Sequence, residues 1–168
     1  VQGYLNNSVY NYMGIPFAAP PVGDLRWKAP QPAANWSGVR TATAPGPMCG
    51  TPTPNEDCLY LNVHTPEGFK SGDRLPVMMW IYGGAFTGGS SNMYEGPNFA
   101  KKGIVYVSIN YRLGRTGWFS HPAISKNAPK DETIGNFGLQ DQIAALKWVQ
   151  SNVSKFGGDP KHVTVFGE

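Results

Sequence analysis

Phe156-Gly157-Gly158-Asp159-Pro160-Lys161-His162-Val163-Thr164-Val165-Phe166-Gly167-Glu168 is the stretch on which the reading of this chain turns. It reads as a loop, a short buried strand and the first half of a tight turn. Val163 to Phe166 favour a pleated backbone because β-branched and aromatic side chains fit it. Gly167 tolerates the backbone of a sharp turn. In the G-x-S-x-G elbow a strand enters such a turn and lifts a serine above a sheet. Gly167 and Glu168 stand at the first two positions of that pattern. Taken alone, the pair reads as an ordinary parallel strand ended by a glycine. The rest of the chain changes that reading.

The 168 residues suggest one domain able to bury a core. Gly (21) and Pro (15) are abundant and only 15% of residues are charged, against about 25% in an average protein. This composition fits a loop-rich globular enzyme or secreted protein and excludes a coiled coil or disordered tail. A formal charge of +3, with no basic run longer than Lys101-Lys102, argues against nucleic acid as a partner. No apolar run approaches the ~18 residues of a membrane span. No signal peptide is visible, and a secreted protein could begin at Val1 once its leader is removed. There is no internal repeat.

Residues 1–48 read as a β-rich entry segment. Gly14 to Trp27 is too dense in proline for a helix or central strand to run through it. Leu75 to Tyr82 and Gly103 to Tyr111 are continuous apolar runs, suited to strands covered on both faces. Residues 120–135 read as a surface loop. Residues 138–156 predict an amphipathic helix with Leu139, Ile143, Leu146, Val149 or Gln150, and Val153 on its apolar face. Gly157-Gly158 stops it. Strand, strand, helix, strand is the α/β order.

Gly83-Gly84-Ala85-Phe86 follows the first of these strands. The stretch through Ser90 lacks the Gly-Lys-Ser/Thr of a phosphate loop, and Ala85 fills the place where a dinucleotide fingerprint needs its second glycine. No cofactor is implied. His64, His121 and His162 have no metal-site spacing, and two cysteines are too few for a structural zinc. All three histidines read as surface or strand-end residues.

Several segments together resemble the type-B carboxylesterase/lipase (cholinesterase-like) family of the α/β-hydrolases. They are Gly14 to Arg26, Glu56 to Val63, Asn110 to Gly114, Gly138 to Gln142, Ala145 to Trp148, and Phe156 to Glu168. The wording around Tyr82 to Phe86 looks most like secreted fungal members. The resemblance implies an α/β-hydrolase fold, with a mostly parallel central sheet and a β-rich entry segment. Residues 1–168 would be the N-terminal part of a single domain ending at the nucleophile elbow. The remainder would be a second chain or a continuation, holding a serine immediately after Glu168 and then the triad acid and histidine.

The implied activity is carboxylic ester hydrolysis through a serine acyl-enzyme. Gly84 and Ala85 would give oxyanion-hole amides, with Gly83, Gly167 and Glu168 as active-site support. Ala85 keeps its N–H and narrows the space slightly. The family pairs Arg26 with Glu56 and Arg112 with Asp141, and a buried pair of this kind is costly to break. Cys49 and Cys58 are either two free buried thiols or the family's disulfide. The turn-rich loop between them and the family's pairing favour the bond, and with it an oxidising compartment. Only eight residues separate the two cysteines and none is aromatic. With Thr87 where cholinesterases place an aromatic, this implies short-to-medium-chain esters rather than choline esters. Asn6, Asn35 and Asn152 each begin an Asn-x-Ser sequon, which agrees with secretion. The rival reading is a catalytically inactive, cholinesterase-like adhesion or binding domain. The lead-in to the elbow and the glycine loop favour the enzyme.

Overall fold

The structure, a computed structural model, describes residues 1–50, 54–126 and 134–168. Strands β1 (Tyr4–Asn6) and β2 (Val9–Pro16) form an antiparallel hairpin around Asn7 and Ser8. Those two sit at φ of 48° and 62°, the left-handed pair that matches the twist of a two-residue hairpin. β3 (Tyr60–Pro66) lies antiparallel to β2. With β4 (Leu75–Ile81), β5 (Val105–Ile109) and β6 (Gly158–Gly167), the sheet has the order β1-β2-β3-β5-β4-β6. It is mixed: β3 meets β5 antiparallel, while β4 runs parallel to both β5 and β6.

Alternation along the strands divides the sheet into two unlike faces. Leu61, Val63, Val77, Met79, Val107 and Ile109, all buried, make one apolar face. It lies under helix α4 (Phe137–Asn152) and the 3-10 turn Val153–Phe156. Val153 and Val77 close over Gly158 so tightly that a Cβ there would stand 2.7 Å from each. The other face carries Asn62, His64, Trp80, Tyr106 and Ser108. Over it lies the short helix α1 (Pro97–Ala100), whose Phe99 stacks on Tyr106 with ring centres 5.0 Å apart.

Several details depart from the sequence expectation. Leu139 and Ile143 of α4 face outward, 46% and 45% exposed. The buried stripe is Phe137, Asp141, Ala145 and Val149, continued by Val153, so that of the expected face Val149 and Val153 are buried and Leu146 packs partly buried against the core. Arg112 draws Asp141 inward, and a polar residue in the core stripe hides the apolar period. The helix ends at Asn152, and the next turn tightens before Gly157 reverses the chain at φ 83°. Within residues 120–135, Pro122–Lys126 form a short helix, α3, after α2 (Gly114–Trp118). The His121 ring nitrogen accepts from the Ala123 N–H at 3.1 Å, and Pro122 suits the first helical position. Residues 127–133 lie outside the described residues.

The short buried strand expected at Val163 to Phe166 forms as part of β6, but as an edge strand rather than a buried one. Among the described residues it pairs only with β4, and Thr164 and Val165 are exposed. Its inward anchors are Val163, packed on the core, and Phe166, whose ring lies 4.9 Å from Trp80. His64 is not a surface or strand-end residue either. It is buried inside β3, with Nδ1 2.8 Å from Asn11 Oδ1. The Asn11 amide donates to the Val9 carbonyl, so its oxygen faces the ring and His64 carries its proton on Nδ1. Burial lowers the imidazole pKa to about 4. His121 and His162 are exposed.

Candidate active site

The strand order β5-β4-β6 makes the chain leave β4 for one neighbour and return on its other side. That is a switch point, and open α/β sheets bind ligands outside the carboxyl ends of the strands that flank one. β4 ends there in Tyr82-Gly83-Gly84-Ala85-Phe86, and β6 ends there in Gly167-Glu168. The two segments touch. A Cβ on Gly83 would stand 2.7 Å from Glu168 Cγ, and one on Gly167 would run into the Ile81 carbonyl oxygen. Only glycine at both positions lets the strand ends lie this close.

Gly84, Ala85 and Phe86 follow one another at φ of 117°, 52° and 61°. Left-handed backbone at non-glycine residues costs about 1–3 kcal/mol and persists only where the surroundings enforce it. Here they do. The Thr87 and Gly88 N–H groups donate to the Gly84 carbonyl at 3.0 and 3.2 Å, and the Phe86 carbonyl accepts from the Gly114 N–H at 2.6 Å. The Phe86 ring lies against Trp118, 4.3 Å between centres. A Cβ on Gly84 would collide with the Gly88 carbonyl. The turn leaves the Gly84 and Ala85 N–H groups without a protein acceptor among the described residues. Two adjacent amides on an exposed loop, held by backbone torsion, can bind a negatively charged oxygen without reorganising.

Around this loop, Tyr94 donates its hydroxyl proton to Glu168 Oε1 at 2.7 Å, which pushes the phenol pKa up to about 12. Cys49 and Cys58 are disulfide-bonded, with Cα atoms 5.2 Å apart, and both are buried. The adjoining Gly50 backs the glycine loop, since a Cβ there would stand 3.3 Å from Gly88 Cα and from the Thr87 carbonyl oxygen. Arg112 donates to Asp141 from its backbone N–H, Nε and Nη2 at 2.8–2.9 Å, and both side chains are buried. Burial pushes the Asp141 carboxyl up against the pull of that guanidinium. Arg26 and Glu56 form a fork at 2.7 and 2.9 Å, but their side chains are 44% and 29% exposed. That pair is therefore not buried and is screened by water.

Asn6 lies at the hairpin and Asn35 on a loop, both exposed, while Asn152 is half-buried with Nδ2 donating to the Trp148 carbonyl at 2.9 Å. Tyr94 escaped the sequence reading, because a partner 74 positions away leaves no local signal. Among the described residues no cluster of His, Cys, Asp or Glu could hold a metal ion. No helix there is long and apolar enough to cross a membrane.

A model of the carboxylesterase family matches residues 1–168. Fumonisin B1 esterase of Sphingopyxis macrogoltabida is 48% identical over 179 residues, covering 98% of this chain and 32% of that protein. Para-nitrobenzyl esterase of Bacillus subtilis is 46% identical over 183 residues, covering all of this chain and 36% of that protein. Among solved structures, a Geobacillus stearothermophilus carboxylesterase superposes with a TM-score of 0.88 at 41% identity, over 99% of this chain and 35% of that one. EstA of Aspergillus niger superposes with a TM-score of 0.87 at 35% identity, over 97% of this chain and 32% of that one. The chain spans about a third of the length of the curated relatives it matches.

Proposed function

This chain belongs to the carboxylesterase family and has the α/β-hydrolase fold, and from that premise we propose that the whole protein hydrolyses carboxylic esters through a serine acyl-enzyme. Residues 1–168 are the N-terminal part of one hydrolase domain. The nucleophile follows Glu168, and the triad acid and histidine come from further along the fold. In chemical terms, the serine oxygen attacks the ester carbonyl and the carbonyl oxygen becomes an anion. The histidine takes the serine proton as the attack occurs, Gly84 and Ala85 donate to the anion, and the alcohol leaves with that proton. Water, deprotonated by the same histidine, then cleaves the acyl-enzyme to release the acid and restore the serine. Gly83 and Gly167 let the two strand ends meet, and Glu168, next in sequence to the proposed nucleophile, is held by the Tyr94 hydroxyl. The observation that carries this reading is the pair of amides on a left-handed loop, without a protein acceptor among the described residues, on the segment whose Gly83 lies against Glu168 at the end of β6.

Short-to-medium-chain esters fit better than choline esters, because Thr87 offers no aromatic face to a quaternary ammonium. The remainder of the fold pairs with the open edge of β6 and covers Leu139 and Ile143. The protein is secreted, in keeping with its disulfide. Asn6 and Asn35 are the sequons free to take a glycan, since the Asn152 amide is engaged. The test is hydrolysis of p-nitrophenyl butyrate by the whole protein, followed by organophosphate treatment and peptide mass mapping. Inhibition with an adduct on a serine directly after Glu168 is the expected result. Hydrolysis that survives the organophosphate, or an adduct elsewhere, counts against the assignment.

A further inference from the structure

We propose that Tyr111 is a positioning residue for the Gly84 and Ala85 amides, acting through Tyr82; the proposal rests on the hydrolase reading above. Tyr82 is the last residue before the glycine loop, and Tyr111 stands just beyond the end of β5. Both are buried, 0% and 2% exposed. The Tyr111 hydroxyl donates to the Tyr82 carbonyl at 2.7 Å, and the Tyr82 hydroxyl donates to the Tyr111 carbonyl at 3.4 Å. Their rings stack with centres 4.6 Å apart and planes 23° from parallel. Each phenol therefore reaches the other residue's main chain, and the two strand ends are clasped beyond their own ladder.

The Tyr82 carbonyl shares a peptide plane with the Gly83 N–H. Holding that oxygen fixes the plane from which the chain departs into Gly83 and Gly84, residues with no side chain to hold them. The Tyr82 ring also meets the far end of the loop, since a Cβ on Gly89 would stand 2.6 Å from its Cδ2. One buried residue thus supports both ends of the turn. The other half of the clasp is anchored in turn. The peptide after Tyr111 has its carbonyl bonded to Tyr82 and its N–H, that of Arg112, bonded to Asp141 on α4. The 2.7 Å bond orients the loop, and the stacked rings supply most of the packing. A small misplacement of catalytic donors is costly, up to ~10²-fold for 1 Å.

Tyr111→Phe separates the two contributions, because it keeps the stacked ring and removes the hydroxyl. In the whole protein with p-nitrophenyl butyrate, kcat should fall about 5- to 50-fold while KM stays within about twofold. This is less than the ~10²–10³ of deleting an oxyanion donor. Affinity for a trifluoromethyl ketone, which forms the tetrahedral anion, should fall by the same factor as kcat/KM. Tyr82→Phe removes only the longer bond and should lower kcat about two- to fivefold. A kcat unchanged in Tyr111→Phe, with or without a lowered Tm, overturns the inference. So does a loss carried by KM alone. Should Tyr111→Phe not fold, Tyr82→Phe decides: unchanged kcat there overturns the clasp as a positioning device. No hydrolysis by the unaltered protein removes the hydrolase reading and this inference together. An active wild type with an indifferent Tyr111→Phe removes this inference alone.

Discussion

Arg112 and Asp141 are joined by three hydrogen bonds where neither side chain has meaningful access to water. One of the three comes from the Arg112 backbone, so the carboxylate fixes main chain as well as side chain. The pair ties the exit of β5 to the middle of α4. Asp141→Asn leaves a guanidinium buried beside a neutral amide, and should destabilise by about 3–5 kcal/mol. Replacing both, Arg112→Met with Asp141→Leu, should recover much of that loss. Urea unfolding of the two variants checks this, and a double variant no better than the single would refute the desolvation argument.

His64 sets a pH dependence whose sign follows from its burial. Its folded pKa of about 4 lies below the ordinary 6.5, so the unfolded chain binds more protons between those values. Stability from this group is complete above pH 6.5 and is lost as pH falls toward 4, by up to about 3 kcal/mol in all. Thermal unfolding at pH 4.5 and 7.5 should show a steeper acid loss in wild type than in His64→Gln. Equal slopes in the two proteins would rule the histidine out as the source.

Gly84→Ala should remove activity without unfolding the protein. The added methyl collides with the Gly88 carbonyl, and alanine resists a φ of 117°. We expect kcat to fall about 10²- to 10³-fold, the cost of an oxyanion donor, with little change in Tm because the loop is exposed. Ala85→Gly relieves a left-handed alanine and keeps the amide, so kcat should stay within about threefold of wild type. Steady-state kinetics with calorimetry on both variants distinguishes these outcomes.

The Cys49–Cys58 bond should matter twice. Opening it by Cys58→Ser should cost about 2.5–3 kcal/mol on the chain-entropy model. It should also release Gly50 from the back of Thr87 and Gly88. Titration with reductant at a temperature where the protein stays folded by circular dichroism should therefore lower kcat. Full activity in the reduced, folded protein would uncouple the cross-link from the loop.

What could be read from residues alone follows a physical line. β5 was legible, because every residue of Val105–Ile109 is buried and an apolar run records that. The glycines of the two strand ends were legible, because at Gly84 and Gly167 a Cβ would overlap a backbone carbonyl oxygen, which leaves only glycine. The buried face of α4 was legible only in its C-terminal half, at Val149 and Val153, because toward its start the stripe includes Asp141 while Leu139 and Ile143 point outward. Hydropathy alone cannot see a carboxylate that is buried for its partner. His64 was misread for the same reason: its partner Asn11 lies 53 positions away. The tyrosine pair and the Tyr94–Glu168 bond likewise depend on which strands become neighbours.

On the proposed reading the turn at Gly84 and Ala85 works through amides, and every residue except proline has one. Inheritance therefore acts on torsion angles there more than on side-chain identity. Alanine can replace glycine at 85 and leave the donor in place, whereas a single inserted or deleted residue between Tyr82 and Gly89 would re-aim both donors at once. Diversification of such a catalyst is expected to run through the walls, at residues such as Phe86, Thr87 and Trp118. The length of the turn should be the last thing to drift.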